Sequence, residues 1–548
     1  MNRLLLKVWQ ALPDGEVRQA EIAQLLNLSQ RQTKRWLERW DEEKWLTYRP
    51  GTGRGRKTRI TWLKNIEEVF VETLIPKFSD KPLQNIVGYL DWEWSESARK
   101  RLEKQFSKRL GYQTVSDHRF IFPIKYPFLT FHPLEAIDLN SVHICENLYK
   151  RLFTVNEEGK VRGELVHYWE ISNQKIRIFL KNHVKFHDGS TLNSTVVRDC
   201  LTLFFNHPHY QGMTSQVISV RAPHSLVVEI ELNAPCSYML HLLSITQASI
   251  YKVKNRNLLG TGPFYVDFSE ENLTRIRAHE EYYRERPYLD AIDFIKVNSD
   301  SELIYRTNTS ENLYKAQKIT SESGFGVLVF NLFRDSTIQR KEVRDYIHYL
   351  IRKEIHTILA IVKNSTDNNR GFLVNDSTPY TVKKPLILPD SQPLILATSR
   401  FTQKLTEQVK EVLEGGGLKV ELLLMEHEKY VSAKTSELEA DLFISREHFS
   451  LDQNLSFYLY FKAGYSQISD LMEKNEVVTE ILSAYAEIPV ENWLPLHLEI
   501  EREVISNSWL VPLYFNQRKI SYPSELMGIS AINYGYADYS KLWIKPEY

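Results

Sequence analysis

The sequence predicts a multidomain chain: a small α+β unit at the N-terminus, a short helical segment, and a large α/β body. Three observations lead there. The stretch from Arg18 to Trp62 reads as helix, tight turn, helix and two short strands around a Gly- and Arg-rich loop. From Arg119 onward, strand-like and helix-like segments alternate to the end, which is the pattern of an α/β body. A chain of 548 residues also exceeds one ordinary hydrophobic core, so two to four domains are expected. The divisions that follow are 1–64, 65–115 and 116–548.

The N-terminal unit is argued residue by residue. Arg3 to Ala11 forms a first helix that covers the rest. Ala20, Ile22, Ala23, Leu25 and Leu26 make an apolar stripe at helical spacing. Asn27 tolerates the left-handed conformation a sharp turn needs. Ser29 stands at the N-cap, where its hydroxyl accepts from the first free backbone N–H groups. Thr33, Trp36, Leu37 and Trp40 then recur at three- and four-residue spacing and face inward. Gln30, Arg31, Gln32, Lys34 and Arg35 are left on the outer face, where Arg suits guanine edges and Gln suits adenine edges.

Trp45 to Tyr48 and Ile60 to Leu63 have strand composition. The link between them, RPGTGRGRKTR, carries Arg49, Arg54, Arg56, Lys57 and Arg59. This is the layout of a winged helix-turn-helix, with a basic wing suited to a phosphate backbone. Charge is segregated accordingly. Residues 1–63 hold thirteen Lys/Arg against seven Asp/Glu, a net of +6, so the remainder of this formally neutral chain sums to −6. Double-stranded DNA is therefore the expected partner, with Ser29, Gln30, Arg31, Gln32, Lys34, Arg35, Arg54, Arg56, Lys57 and Arg59 as the contacting set.

Residues 64–115 read as mostly helical. Ile66, Val69, Phe70, Thr73 and Leu74 form one stripe; Leu83, Ile86, Val87 and Leu90 form a second; Leu102, Phe106 and Leu110 form a third within Ser97 to Leu110. Two readings stay open for this block: a rigid connector, or part of a homodimer interface.

In the body, Arg119 to Ile124 reads as a buried strand and is followed by Phe131-His132-Pro133-Leu134. Further on come Asn147 to Leu152, Leu165 to Glu170, Lys185-Phe186-His187-Asp188-Gly189, Gly260-Thr261-Gly262-Pro263-Phe264, Tyr282 to Asp290 and Trp509 to Tyr514. In this order the blocks resemble the family 5 extracytoplasmic solute-binding proteins. The resemblance implies a two-lobed α/β fold of the periplasmic-binding-protein type (type II) that closes on a solute by hinge motion. It also implies that Trp509 to Tyr514 is the strand returning to the first lobe. Asp188-Gly189 and the Gly260–Pro263 run have structural reasons to exist as turns and tight backbone paths.

A winged helix joined through a helical segment to such a body resembles the SgrR-type transcriptional regulators. That resemblance implies a cytoplasmic one-component regulator sensing a small solute, whether sugar, sugar phosphate or peptide-like. The alternative is a transport-linked solute-binding protein without a DNA role. A third reading is an architectural DNA-binding protein.

In relatives, a segment after the second-lobe strands lines the pocket with an aromatic residue and an acidic one that holds a peptide amine. Here Asp441 to Asp452 departs from that pattern and offers Ser445, Arg446, Glu447 and His448. Arg446 suits a phosphate or carboxylate. Tyr126, Phe128, Phe131, Arg446 and Glu447 are the candidate cleft residues.

No apolar run approaches the ~20 residues of a membrane span, and MNRLLLKVWQALPDGE lacks the layout of a signal peptide. The three cysteines, Cys145, Cys200 and Cys236, have no paired metal-ligand spacing. His183/His187 and His207/His209 are poor metal pairs without a carboxylate or thiol partner. No phosphate-cradling loop, nucleophile elbow or zinc-protease motif occurs. The expectation is no enzyme, no metal, no cofactor and no membrane contact.

Overall fold

The computed structural model describes residues 1–548 apart from 52–56, 115–116, 125, 157, 173, 298–315, 363–364, 368–370, 373–379, 381–391, 524–525, 531–536 and 546–548. The side chains of 84, 113–114, 316–323, 366 and 516–523 are likewise not described.

The N-terminal unit contains α1 (Arg3–Ala11), β1 (Gly15–Val17), α2 (Gln19–Leu26), α3 (Gln30–Glu42), β2 (Leu46–Arg49) and β3 (Thr58–Trp62). Asn27 takes φ 52° and ψ 45°, the left-handed turn between α2 and α3. Strand β1 is a third, three-residue strand with no sequence signal; it pairs antiparallel with β3. Asp14 and Leu12 accept hydrogen bonds from the Trp62 backbone and indole N–H groups, tying the wing to the end of α1.

Two helices follow, α4 (Ile66–Asp80) and α5 (Glu96–Ser107). Between them, Leu83 to Leu90 forms two 3₁₀ turns rather than a helix. The segment is short and contains Gly88, a poor helix former. Its apolar residues are buried nonetheless. Ala98, Leu102, Phe106 and Leu110 join the same apolar cluster as Leu37, Trp40 and Ile60 of the winged unit. The apolar stripe of the connector thus faces an intramolecular core.

The chain then enters a five-stranded sheet through β4 (Gly111–Thr114) and β5 (His118–Ile124). Ala291–Lys296 lies parallel to β5, and Leu273–Ala278 and Phe264–Ser269 extend the sheet antiparallel. Successive residues of a strand point to opposite faces, and here both faces are buried. Phe120, Phe122, Ile276, Ile292 and Phe294 enter the core of the body. Ile121, Leu273, Ile295 and Val297 enter the core of the N-terminal unit. On that second face Asp293, 1% exposed, accepts a two-point hydrogen bond from Arg275 at 2.6 and 2.9 Å.

A six-stranded sheet forms the second lobe, in the order Ser365–Asp367, Leu510–Pro523, Ala316–Phe330, Leu442–His448, Leu394–Ser399, Val420–Met425. A four-stranded antiparallel sheet between Val166 and Leu232 adds a further layer. One expectation is corrected. The strand containing Leu510 to Tyr514 pairs with Ala316–Phe330 in the second lobe instead of returning to the first. The chain re-enters the first lobe later, where Tyr539 packs on Phe122 and Phe294.

The glycines of the Gly260–Pro263 run are needed because backbone passes close by. A Cβ on Gly262 would lie 2.4 Å from the Leu148 carbonyl carbon. His187 clamps this loop: its Nδ1 accepts from Gly260 N–H at 3.1 Å, so Nε2 carries the proton and donates to the Gly262 carbonyl at 3.2 Å. His187 therefore has a structural task, and burial holds its imidazole far below the ordinary value, at about 3.

Candidate functional site

Two surfaces carry the candidate residues. The first is the outer face of α3. Gln30, Arg31, Gln32, Lys34 and Arg35 are exposed, while Thr33, Leu37 and Trp40 are buried. Ser29 and Gln32 form a capping box: the Ser29 hydroxyl accepts from Gln32 N–H, and the Gln32 side-chain carbonyl accepts from Ser29 N–H at 3.1 Å. The Gln32 carbonyl is thereby occupied, and its amide NH₂ remains as the group to offer a base. Gln19 braces the start of α3 by donating to the Gln30 carbonyl at 2.7 Å.

In the wing, Lys57 and Arg59 are exposed. Arg54 and Arg56 lie outside the described residues. Arg49 stands directly across from Arg59 in the β2–β3 register, both exposed. Like charges opposite one another in a ladder disfavour the pairing unless an anion lies between them.

The second surface is a cleft of about 830 Å³. Its first-lobe wall comes from the loop after β5 and the start of α6 (Leu139–Leu148), with Tyr126, Asp138 and Asn140. The opposite wall follows the carboxyl ends of Leu394–Ser399 and Val420–Met425 and the end of Leu442–His448. These contribute Arg400, Phe401, His427, Arg446 and Glu447. Strand Leu394–Ser399 sits between the other two; the chain leaves it toward Val420–Met425 on one side, while it leaves the parallel neighbour Leu442–His448 toward Leu510–Pro523 on the other. A crevice outside the carboxyl ends of parallel strands at such a switch point is where α/β sheets take ligands.

The structure brings Tyr126, Arg446 and Glu447 to this cleft. Phe128 and Phe131 are placed elsewhere: Phe128 packs edge-on against Phe294 at 5.1 Å and against Phe131 at 5.7 Å, both leaning on the body core. Aromatic residues directly after a strand have apolar surface to bury, and here the sheet supplies it. Arg400, Phe401, His427 and Asp138 are cleft residues the sequence reading missed. They sit on three separate segments, with His427 opening the helix His427–Ser432 and Asp138 capping α6, and no motif singles them out.

The electrostatics of the cleft are uneven. Burial raises the Glu447 carboxyl to about 8. Burial lowers the His427 imidazole below its ordinary value, and the nearby Arg400 and Arg446 charges lower it further. Asp138 caps α6 through Oδ1, which accepts from Asn140 and Ser141 N–H, while Oδ2 is buried without a partner. Among the described residues no group of three or more His, Cys, Asp or Glu could hold a metal ion, and no helix is long and apolar enough to cross a membrane.

Comparison with known proteins matches each part of the chain to a family model. The family model described as "Sugar transport-related sRNA regulator N-term" matches residues 3–113. That of "Bacterial extracellular solute-binding proteins, family 5 Middle" matches residues 160–325. The HTH-type transcriptional regulator SgrR of Yersinia enterocolitica is 20% identical, covering 100% of this chain and 99% of that one. The uncharacterised protein YhjP of Bacillus subtilis is 22% identical over 97% and 96% of the two chains. Among solved structures, the periplasmic binding protein DppA from Helicobacter pylori, in complex with the peptide STSA, aligns with a TM-score of 0.68 and 14% identity. That alignment covers 78% of this chain and 98% of DppA, and it shows the fold. With the two matched domains in this order and similarity over its full length to regulators of that name, the chain resembles the SgrR-type transcriptional regulators: a winged helix-turn-helix joined to a family 5 solute-binding-protein-like body.

Proposed function

We propose that the protein is a cytoplasmic one-component regulator. It reads double-stranded DNA through α3 and the wing, and it senses a sugar, sugar phosphate or peptide-like solute in the cleft between the two lobes. The observation that carries this reading is the five-stranded sheet with one face in each core. Phe120 and Phe122 of β5 pack in the body, and Ile121 between them packs in the DNA-reading unit. Packed cores switch between discrete arrangements rather than deforming smoothly. A solute that favours the closed cleft therefore biases the strand on which the N-terminal unit rests.

The outer face of α3 supplies the donors for base edges. The stacked Arg49 and Arg59 favour a phosphate between them. The test is titration of labelled operator fragments, selected from random DNA, with and without candidate solutes. A coupled sensor changes operator affinity by about 5- to 150-fold on ligand addition. Equal affinity with every solute would sink the sensing reading. Retention on DNA that survives Arg31→Ala combined with Arg35→Ala would sink the assignment of α3.

A further inference from the structure

The four-stranded antiparallel sheet of the body has one face in the core and one face out. Ile176, Ile178, Val228 and Ile230 point inward and are buried. Their neighbours along each strand point outward. The strand registers set these outward residues in rows that cross all four strands. From Val166–Ser172 at one edge to Val217–His224 at the other, the middle row reads Glu170, Arg177, Glu229, Arg221. The row on one side reads Tyr168, Phe179, Val227, His224, and the row on the other reads Ser172, Lys175, Glu231, Ser219.

These rows have a symmetry that a merely solvated face does not need. Read backwards, Glu-Arg-Glu-Arg becomes Arg-Glu-Arg-Glu. Consider a two-fold axis parallel to the strands, between Lys175–Leu180 and Val227–Leu232. It lays the sheet of a second copy on this one with each row reversed. Glu170 then faces Arg221 of the second copy, Arg177 faces Glu229, and Lys175 faces Glu231, so every charge meets its opposite. Tyr168, 56% exposed, comes over His224, and the half-buried Phe179 comes over Val227. Packed sheets are turned by about 30°, which displaces the outer strands, about 7 Å from the axis, by about 4 Å. Arg and Glu side chains span that distance. Within one copy Arg177 already holds Glu229 at 2.8 Å and Glu170 at 3.4 Å, and Arg221 holds Glu231 at 2.9 Å. Those pairs preorganise the pattern, which lowers the ordering cost of docking. Glu170 and Arg221 at the edges still keep 48% and 64% of their side-chain surface in water.

We propose that the outer face of this sheet is where two copies of the chain associate, sheet on sheet, about that two-fold axis. Four strands about 4.8 Å apart and three rows about 6.8 Å apart give a patch on the order of 400 Å² per copy. That is the size of a weak, reversible contact, with a Kd on the order of 10–100 µM. Association brings two α3 helices into one particle, as an operator with two half-sites requires. The proposal is independent of what the cleft binds.

The experiment is sedimentation equilibrium of the full-length protein from about 1 to about 300 µM, a range that brackets the expected Kd. Wild type should pass from monomer to dimer across it, and added salt should shift the balance back toward monomer. Glu170→Arg alone sets arginine against arginine, and Arg221→Glu alone sets glutamate against glutamate. Each should weaken association by about 10-fold or more. An equimolar mixture of the two variants should regain the wild-type affinity, because the two changed side chains then face one another and the two unchanged ones do likewise. Glu170 and Arg221 stand at opposite edges of one sheet, about 14 Å apart, so no contact within a copy accounts for that recovery. Melting temperatures report that each variant is folded.

A wild-type chain that stays monomeric across the range overturns the proposal and leaves the face to solvent or to a different protein. Dimers that neither substitution weakens place the contact elsewhere and overturn it as well. Loss in both single variants without recovery in their mixture refutes the two-fold register on which the proposal stands.

Discussion

Stability should peak near neutral pH, with a steep acid limb and a shallow alkaline one set by identifiable groups. Three histidines are buried neutral: His187 and His497 are depressed to about 3, and His348 to about 4, from an ordinary 6.5. Burial is the leading cause in each. His497 is locked by the Tyr485 hydroxyl at 2.8 Å and by Asn454 at 3.2 Å, and His348 by the Ser508 hydroxyl at 3.1 Å. A group whose folded value is depressed in this way contributes fully above 6.5 and loses its contribution as pH falls, because only the unfolded chain takes up the proton. Glu447 has the opposite sign. Raised to about 8 from 4.5, it contributes below 4.5 and loses that contribution as pH rises through 8. Between pH 6 and 5, three protons are taken up on unfolding against one released. The net of about two gives a slope of roughly 2.7 kcal/mol per pH unit. His132, His207, His209, His279 and His427 are lowered as well and steepen the same limb. Above pH 7 the histidines stop contributing and Glu447 alone pulls stability down, by up to about 1.4 kcal/mol per unit. Urea denaturation from pH 5 to 8, followed by tryptophan fluorescence, measures both limbs. Glu447→Gln should flatten the alkaline limb between pH 7 and 8 and steepen the acid limb, because the net uptake there rises from about two protons to about three. A profile flat from pH 6 to 5, or an alkaline limb unchanged in Glu447→Gln, would refute the reasoning.

Asp293→Ala leaves the Arg275 guanidinium, 17% exposed, without its acceptor between the sheet and the N-terminal unit. Breaking a buried pair from one side costs about 3–5 kcal/mol, read from the urea midpoint; a loss below about 1 kcal/mol would mean that the interface admits water. Lys57→Ala and Arg59→Ala should each reduce the slope of log affinity against log salt concentration by about 0.9, uniformly across DNA sequences, if each neutralises one phosphate. Substitution of Arg31 or Arg35 should instead change the ranking of operators in a competition assay. Gly262→Ala forces a methyl group onto the Leu148 backbone, a contact that cannot relax through a side-chain rotation. The expected cost is about 1–3 kcal/mol in thermal or urea unfolding, and a neutral result would show that the loop is not held against α6.

Local signals made the N-terminal unit legible. The left-handed Asn27, the Ser29 cap and the three- and four-residue spacing of Thr33, Leu37 and Trp40 are each decided within a few residues of chain, and each stands where the pattern put it. Strand β1 was not legible, because three residues carry no period and its pairing with β3 spans more than forty positions. The cleft was harder still. Arg400, His427 and Asp138 line one cleft only because three distant segments converge, and nothing in the composition of any one segment marks it. The placement of Leu510 to Tyr514 depended on which sheet offered a free edge, a property of the whole fold.

The run from Arg119 to Ile124 carries a signal about both faces of its sheet. A strand with one wet face alternates apolar and polar side chains, whereas a strand covered on both faces reads as a continuous apolar run. Phe120-Ile121-Phe122 is such a run, and it predicts a buried strand. Continuous apolarity reports that two faces are dry without saying what covers each. Here the covers are different domains: Phe120 and Phe122 meet the α/β body, and Ile121 meets the core that positions α3. The same alternation recurs in Ala291–Lys296, where Ile292 and Phe294 face the body and Ile295 faces the N-terminal unit. Two adjacent parallel strands sandwiched in this way cannot shift toward one core without opening a gap in the other. Close-packed interiors resist such gaps at about 24 cal/mol per Å³ of cavity. A sheet with no free face is therefore what joins the body to the N-terminal unit, and its trace in the sequence is the absence of a polar residue at position 121.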